Sequence, residues 1–331
     1  MSIAIDAMGG DYAPREIVLG CLAAAERIST PLILVGDPDL IRPHLPAQVP
    51  SSITILAAKQ VIEMHEKPVE ALRQKRESSI VIAANLIKEG KASAMVSAGN
   101  TGAAAAASLL AWRQIPGVHR PAIASMFPNP YGGFLLLDAG ASPDVDPEHL
   151  VEFGQMGKLY MKRVMGRAEP KVHLLNIGEE EGKGNAFAKQ AHQELAKHPW
   201  FAGNIEGKDL FKQPVDVVVC DAFVGNIVLK TAEGVGEFLF QMIRDRFPTD
   251  PISKLRLFPA RKIIGRLREL RKEVDYAEYG GSPLLGLNGL CIICHGRSNA
   301  RAIENAILVA KKSIDADLVN AIRESFVHPK Q

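Results

Sequence analysis

The chain has 331 residues, of which 47% are hydrophobic and 23% charged, and 39 Lys and Arg against 37 Asp and Glu leave a net charge of +2. This composition is typical of a folded globular protein and excludes the fibrous and disordered classes. The small net charge excludes a general attraction to nucleic acid, so an anionic partner requires a local basic patch. Four cysteines lie in apolar stretches and no charged n-region precedes an apolar h-region at the start, which together predict a reducing, cytoplasmic location.

Eight short apolar runs, each followed closely by Gly, Asp or Asn, predict buried parallel strands. They are Ile3–Ile5, Leu32–Val35, Ile53–Leu56, Ala94–Val96, Phe134–Leu137, Val172–Leu175, Val217–Cys220 and Leu290–Ile293. Stretches with helical apolar spacing alternate with them, such as the one that reaches Lys88 from the candidate N-cap residues Ser78 and Ser79. We therefore predict an α/β fold of three layers, α/β/α, around one mostly parallel, doubly wound sheet.

One long uncharged window, Ala92 to Trp112, has the length of a membrane span. The polar and Gly residues from Ser97 to Gly102 would interrupt a helix in lipid, so we interpret the window as strand, loop and buried helix.

The chain shows no internal repeat, low-complexity tract or Gly/Ser linker, which favours a single α/β domain over residues 1–331. The exception is the segment 233–278, which is basic, helical in pattern and interrupted by Pro. We expect this helical arm to project from the body.

Six loops rich in Gly, Asn and hydroxyl residues follow the predicted strands. Ligands of open α/β sheets bind beyond the carboxyl ends of the strands, where backbone N–H groups and helix N-termini favour anions. One such loop is usually only a turn, but six of them indicate a shared anion site. The loops are Asp6–Asp11, Ser97–Gly102, Asp138–Ser142, Asn176–Asn185, Asp221–Asn226 and His295–Asn299.

Several residues in these loops have side chains suited to catalysis. Lys183 is interpreted as the cation of the loops, which either meets a phosphate or pairs with Glu179 to Glu181 at the surface. His295 is a candidate general acid or base, or else a structural histidine. Three aspartates at strand ends would either ligate magnesium or cap their own loops, namely Asp6, Asp138 and Asp221.

The usual nucleotide fingerprints are missing from the sequence. Residues 178–183 resemble a Walker A loop, but the glycines are one residue too close, Gly184 follows the lysine, and three acids would repel phosphates. No G-x-G-x-x-G follows a strand. Cys291 and Cys294 have redox or zinc spacing but lie in an apolar strand without a second pair, which favours core packing.

Taken together, long strings over nearly the whole chain resemble the family of bacterial phosphate acyltransferases of phospholipid synthesis, which make acyl-phosphate from acyl-[acyl-carrier-protein]. These strings are residues 3–11, 97–103, 175–178 with 180–185, 203–207, 225–226 with 228–230, 280–286 and 295–296. The chain departs from the family pattern at Ser142, where Asn is common, at Ala222, where Gly is common, and at residues 297–299.

The resemblance implies a fold similar to that of isocitrate and isopropylmalate dehydrogenases and of phosphotransacetylases, a homodimer, and neither a metal nor a nucleotide cofactor. It also implies that inorganic phosphate attacks the acyl thioester directly, through a tetrahedral oxyanion and without a covalent acyl-enzyme. Such a reaction needs an anion cradle and oxyanion donors.

On this basis we assign roles to the loop residues as hypotheses. Lys183 would bind phosphate and developing negative charge, Asn226 would bind the thioester carbonyl oxygen, and His295 would relay a proton. The predicted phosphate-binding residues are Gly9, Gly10, Asp11, Ser97, Asn100, Thr101 and Gly102. The predicted acyl or pantetheine contacts are Asn185, Asp221 and Gly225.

The segment 252–272 carries eight Lys or Arg and one acid, with apolar residues at roughly helical spacing. This pattern is typical of a helix on an anionic membrane or against an acidic protein, and also of an ordinary surface helix. The resemblance favours the first two, because acyl-carrier protein is acidic and the product passes to a membrane glycerol-3-phosphate acyltransferase. We therefore expect peripheral membrane association. The predicted contacts are Lys254, Arg256, Arg261, Lys262, Ile263, Arg266, Leu267 and Leu270.

Three other functions compete with this one. A phosphotransacylase for short acyl-CoA would share the fold and phosphate loops without needing the basic segment. A metal- and NAD-dependent decarboxylating dehydrogenase would need grouped metal carboxylates and several substrate arginines, which the sequence does not show. A catalytically silent acyl-binding protein would not need a phosphate cradle.

Overall fold

The structure is a computed structural model that describes residues 1–246 and 280–327. The predicted membrane or carrier-protein contacts, from Lys254 to Leu270, lie outside these residues. The strands are β1 (Ile3–Asp6), β2 (Leu32–Gly36), β3 (Ile53–Ala57), β4 (Ala94–Ser97), β5 (Ala122–Ile123), β6 (Ser125–Phe127), β7 (Phe134–Leu137), β8 (Val172–Asn176), β9 (Phe201–Glu206), β10 (Val217–Val219), β11 (Ser282–Leu285) and β12 (Leu290–Ile293).

The helices alternate with these strands along most of the chain. They are α1 (Arg15–Ala25), α2 (Pro38–Ile41), α3 (Pro68–Gln74), α4 (Ser79–Lys88), α5 (Thr101–Trp112), α6 (Pro147–Arg163), α7 (Ala186–Leu195), α8 (Ala222–Arg246), α9 (Ala300–Asp315) and α10 (Leu318–Val327). The interpretation of residues 92–112 as strand, loop and buried helix is confirmed by β4 and α5. Among the described helices, none has the length and apolar character needed to cross a bilayer.

The described strands form two sheets. The first has seven strands in the order β3-β2-β1-β4-β12-β11-β5, and the second has five in the order β6-β7-β10-β8-β9. Most neighbours are parallel, whereas β11 runs antiparallel to β12 and β5, and β6 runs antiparallel to β7. The predicted α/β class is confirmed, and all eight predicted strands are present, but they divide between two sheets instead of forming one.

The chain passes between the two sheets at Ala124, between β5 and β6. The Ala124 amide donates to the Pro283 carbonyl of β11 at 2.9 Å, and the Ser125 and Ser282 hydroxyls are 2.7 Å apart. Strands of two or three residues have no readable period, and β11 contains Pro283. The sequence pattern therefore missed the strands that join the sheets.

Each sheet buries both faces, which gives three layers. In β1, Ile3 and Ile5 face a core with α1 and α9, whereas Ala4 faces a core with α4 and α5. The second sheet is covered by α6, α7 and α10 on one face and by part of α8 on the other. This burial on both faces explains why the strands read as continuous apolar runs.

The structure adds detail to two features of the sequence analysis. Ser78 occupies the N-cap position of α4, but within the described part of the chain its hydroxyl makes no hydrogen bond, while the Ser79 hydroxyl bonds to Asp6. The predicted arm does not begin at an element boundary, because α8 starts at Ala222 and continues through Glu233 to Arg246.

Candidate active site

Loops of the seven-stranded sheet meet because β1, β4 and β12 are neighbours in it. A Cβ at Gly9 would lie 2.5 Å from Asp6 Oδ2 and 2.6 Å from the Gly99 nitrogen, so only Gly allows this approach. Gly10 has a φ of 108°. The amide of Asp11 donates to the Gly296 carbonyl at 2.7 Å. The three loops are thus in backbone contact with one another.

The buried polar side chains of these loops hold the loops themselves. Asp6 accepts the Ser97 hydroxyl at 2.7 Å and the Met8 amide at 3.3 Å. Burial raises the pKa of the Asp6 carboxyl, although the hydrogen bonds from Ser79, Ser97 and the backbone act in the opposite direction. Capping, the alternative to magnesium binding, therefore describes the observed contacts of Asp6. Ser97 is buried and engaged in the same way.

Asn100 joins the start of α5 to the segment before α3. Its Oδ1 accepts the Ala103 amide at 3.0 Å, which caps the helix, and its Nδ2 donates to the carbonyls of Met64 and Glu66 at 3.1 and 3.0 Å. Thr101 and Gly102 are exposed in the first turn, where helical N–H groups lack intrahelical acceptors. Backbone donors at this turn therefore fit the predicted phosphate cradle better than the Asn100 side chain does.

The loops of the five-stranded sheet are organised around Asp138. Its carboxylate accepts the amides of Ile123, Gly140 and Ala141 at 2.9 Å each and that of Ser142 at 2.7 Å. Burial raises the pKa of this carboxyl, and the four backbone hydrogen bonds oppose the increase. Asp138 therefore caps its own loop.

Two further predicted residues of this sheet support the start of α8. Asp221 accepts the Val224 amide at 2.9 Å, as a capping residue does. A Cβ at Gly225 would lie 1.9 Å from the Asp138 carbonyl oxygen, so α8 packs directly on the Asp138 backbone. The observed contacts of both predicted acyl or pantetheine residues therefore hold the scaffold.

Asn226 lies over this loop with its side chain exposed. A Cβ at Gly140 would be 3.9 Å from Asn226 Oδ1, so the amide group sits directly above the turn held by Asp138. Its place in the second turn of α8 puts it near the positive end of the helix dipole. The arrangement suits stabilisation of a developing oxyanion.

Lys183 is held by its backbone and leaves its ammonium group accessible. Its carbonyl accepts Asn176 Nδ2 at 3.2 Å. Its Nζ is 3.9 Å from Glu180 Oε1, and the two side chains are 52% and 72% exposed, so the surface pairing considered as one alternative is present but weak. The nearby Asn185 caps α7 by accepting the Ala188 amide at 2.8 Å.

His295 links the two sets of loops. Burial lowers its pKa, and the nearby cations Lys230 and Arg297 lower it further, against the opposing charges of Glu233 and Asp11. Lys230 and Glu233 belong to α8, on the five-stranded sheet, whereas His295 follows β12 of the seven-stranded one. Charged residues of α8 thus act on His295 of the other sheet.

The hydrogen bonding of the His295 ring indicates its tautomer. The amide of Arg297 donates to His295 Nδ1 at 3.2 Å, so that nitrogen presents a lone pair. A neutral imidazole then carries its proton on Nε2. With a lowered pKa, the His295 ring is neutral at neutral pH, and its Nε2–H is a hydrogen-bond donor. A neutral imidazole is too weak an acid to give up this proton, so the group suits stabilisation of developing negative charge.

Sequence reasoning missed two of the cations near this site. Arg297 lies in the loop after β12, so Lys183 is not the loops' single cation. Lys230 lies four residues after Asn226 on α8, and its Nζ pairs with Glu233 Oε2 at 2.8 Å. Helical spacing places Asn226, Lys230 and Glu233 along one side of α8, and that spacing is the signal that could have found Lys230.

All four cysteines are buried, and burial raises the pKa of each thiol, to about 12 for Cys291. The interpretation of Cys291 and Cys294 as core residues is confirmed, and protonated thiols are poor nucleophiles.

Within the described ranges, His119, His149 and Glu152 are close enough together to hold a metal. Several of their polar atoms already have hydrogen-bond partners, however. His149 Nδ1 accepts the Asp146 amide at 2.9 Å, and the His119 ring bonds to Glu152.

Comparison with known proteins gives a consistent family. The sequence model of the family described as "Fatty acid synthesis protein" matches residues 1–321. A phosphate acyltransferase of Desulfitobacterium hafniense (strain DSM 10664 / DCB-2) is 50% identical over 327 residues, covering 98% of this chain and 97% of that protein. Another, of Moorella thermoacetica (strain ATCC 39073 / JCM 9320), is 50% identical over 324 residues and covers 97% and 95%.

Solved structures share the fold at low identity. A phosphotransacetylase from Streptococcus pyogenes superposes with a TM-score of 0.62 at 18% identity, covering 95% of this chain and 94% of that one. A 4-hydroxythreonine-4-phosphate dehydrogenase from Klebsiella pneumoniae gives 0.50 at 16% identity, with 94% and 98% covered. Transferases and dehydrogenases thus share this fold, and the fold alone does not choose between them.

Proposed function

Since the chain belongs to the fatty acid synthesis protein family, and is an enzyme that transfers acyl groups to phosphate in phospholipid synthesis, we propose that its acyl donor is a long-chain acyl-[acyl-carrier-protein]. The observation that carries the site assignment is the position of Asn226 above the Asp138 loop, on the same side of α8 as Lys230, which neighbours His295. Amide, cations and neutral imidazole then surround one reaction centre.

Phosphate binding is assigned to the loops of the seven-stranded sheet. The exposed first turn of α5 at Thr101 and Gly102 and the Gly9-Gly10 turn offer backbone amides, and these donate to an anion without bringing a competing charge. Lys183 neutralises the charge of the incoming phosphate, with Lys230 and Arg297 as further cations close to His295.

Acyl transfer then proceeds in two balanced steps. An oxygen of HPO₄²⁻ attacks the thioester carbon, a C–O bond forms, and the carbonyl electron pair moves to oxygen, where Asn226 stabilises it. Collapse of this oxyanion breaks the C–S bond, and the thiolate leaves with the bonding pair. The proton of HPO₄²⁻ ends on the thiolate, and the neutral His295 ring donates an Nε2–H hydrogen bond to the sulfur as negative charge develops there.

The donor is tested by measuring phosphate-dependent thioester consumption with long-chain acyl-[acyl-carrier-protein] and with acetyl-CoA. We expect turnover with the first and little with the second, and Lys183→Ala to lower kcat/KM, with exposed Lys189→Ala as the matched control. Efficient use of acetyl-CoA alone would assign a short-chain phosphotransacylase instead. If Lys183→Ala and Asn226→Ala both keep normal turnover, the site assignment is wrong.

We further propose peripheral association with anionic membranes through the segment 252–272, on the basis of its eight cations and interspersed apolar residues. Flotation of the full chain with anionic liposomes should succeed for wild type and fail for Leu267→Glu. Equal flotation of the two proteins removes this segment from membrane binding.

A homodimer is also proposed. The distal part of α8 supports it, because Val235, Phe238 and Leu239 are 52%, 61% and 46% exposed. Light scattering should give twice the chain mass, and a monomer would refute the proposal.

A further inference from the structure

Three large apolar side chains stand exposed at the strand-end loops of the five-stranded sheet. Ile177 is 80% exposed, Phe223 68% and Ile227 50%. Single exposed apolar residues are common on proteins, but a group beside a reaction centre marks a surface that is covered by a ligand or partner.

The strand register places the three residues at the same edge of the five-stranded sheet. β8 and β10 are parallel neighbours, with Val172 opposite Val217 and Leu174 opposite Val219. Continuing that register sets Asn176 beside Asp221. Ile177 is therefore the next residue beyond one strand end, and α8 begins directly beyond the other.

On α8 the exposed pair faces away from the core. Val224 and Val228 pack against the core cluster formed by β7, β9 and β10, whereas Phe223 and Ile227, four residues apart, share a different side of the helix. The two residues are thus exposed because they lie on a different side of the helix from the buried one. The helix has a second, exposed apolar side, formed by Phe223 and Ile227 next to the proposed oxyanion donor Asn226.

The polar part of the same loops lies immediately beside this group. Ile227 adjoins Asn226 in sequence, and Ile177 follows Asn176, whose amide holds the Lys183 carbonyl at 3.2 Å. A thioester carbonyl bound at Asn226 would place the first methylenes of its acyl group against Ile227 and Phe223. The established reaction supplies an apolar occupant at this position, since every turnover brings an acyl chain to it.

We propose that Ile177, Phe223 and Ile227 form an acyl-binding subsite that makes the reaction selective for longer acyl chains. The inference rests on the proposed placement of the thioester at Asn226. Burial of each additional methylene against this surface strengthens binding about fourfold, so kcat/KM rises with the length of the acyl chain.

The test compares kcat/KM for a graded series of acyl-chain lengths, carried on acyl-carrier protein and, in parallel, on coenzyme A. The variants are Phe223→Ser, Ile227→Ser and Ile177→Ser, and the control is Leu110→Ser, which removes an apolar residue of α5 that is 67% exposed. Surface positions of this kind leave folding intact, and thermal unfolding of each variant checks this.

We expect the subsite variants to lose about tenfold or more with the longest chains and little with the shortest, whereas the control keeps the wild-type profile. An equal loss at every chain length, or none at any, overturns the subsite. A change of oligomeric state without a change of chain-length profile would assign the surface to a second copy and also overturn it. If only coenzyme A thioesters react and their length dependence responds to the variants, the proposed donor fails and the subsite stands.

Discussion

The loops of the seven-stranded sheet and those of the five-stranded sheet use the same residue types and expose different groups. In the first set, Asp6, Ser97 and Asn100 are buried and bonded to loop backbone, so the surface left over consists largely of backbone amides. In the second set, Asp138 has the same internal role, but Lys183 and Asn226 stand free of the scaffold and exposed.

The difference separates two tasks. A phosphate ion is small and has many acceptor atoms, so a rigid cradle of amides suits it. The thioester needs side chains that respond to charge as it develops in the transition state. Asn100 is bonded into the scaffold, and Asn226 is the proposed reactive group, so substitutions in the two regions should affect different measurements.

The largest effect is expected at Asn226. Asn226→Ala should lower kcat/KM by about 100- to 1,000-fold, the usual cost of losing one oxyanion donor, with unchanged thermal stability because the side chain is exposed. Steady-state kinetics with saturating phosphate measures it, and Thr231→Ala, another exposed residue of α8, is the control. A loss of stability that matches the loss of rate would place Asn226 with the scaffold.

The next effect is on stability, at Asp138. Asp138→Asn should cost about 1–3 kcal/mol, because an NH₂ group would face backbone N–H groups that now have an acceptor. Burial raises the folded-state pKa of Asp138 above the ordinary 3.8, so its contribution to stability is complete below that pH and is lost as pH rises through the folded value. Urea unfolding should thus show that the difference in free energy of unfolding between wild type and Asp138→Asn narrows with rising pH. A difference that widens would contradict the prediction.

A smaller loss of stability is expected at Asn100. Asn100→Ala removes the cap of α5 and the bonds to Met64 and Glu66, which should cost about 1–2 kcal/mol. Hydrogen exchange should show faster opening of residues 63–66, and phosphate affinity should fall with it. Unchanged hydrogen exchange at residues 63–66, together with lost turnover, would show that Asn100 acts in the reaction and not in the scaffold.

The smallest effect couples the two regions. Because Lys230 lowers the pKa of His295, Lys230→Gln should raise that pKa, whereas Lys189→Gln on α7 should leave it unchanged. An NMR titration of the His295 ring measures the shift. An unchanged His295 pKa in Lys230→Gln would show that the charge of α8 does not act on the loop after β12.

The sequence predicted what depends on neighbours along the chain. Apolar runs such as Phe134–Leu137 identified the buried strands, and the position of loops after strand ends predicted the candidate site. The strands at Ala124 were missed because two or three residues carry no period, and the role of Asn100 was missed because its partners belong to another segment. Helical spacing from Asn226 could have indicated Lys230, but its proximity to His295 comes only from the tertiary fold.

Helix α8 has a mechanical consequence. It begins beside the proposed reaction centre and is described as far as Arg246, and these 25 residues make one hydrogen-bonded rod of about 37 Å. Such a rod is rigid, so a small tilt imposed at its distal end displaces the residues at its first turn. A partner or a lipid surface that binds the distal end would therefore act on the position of Asn226.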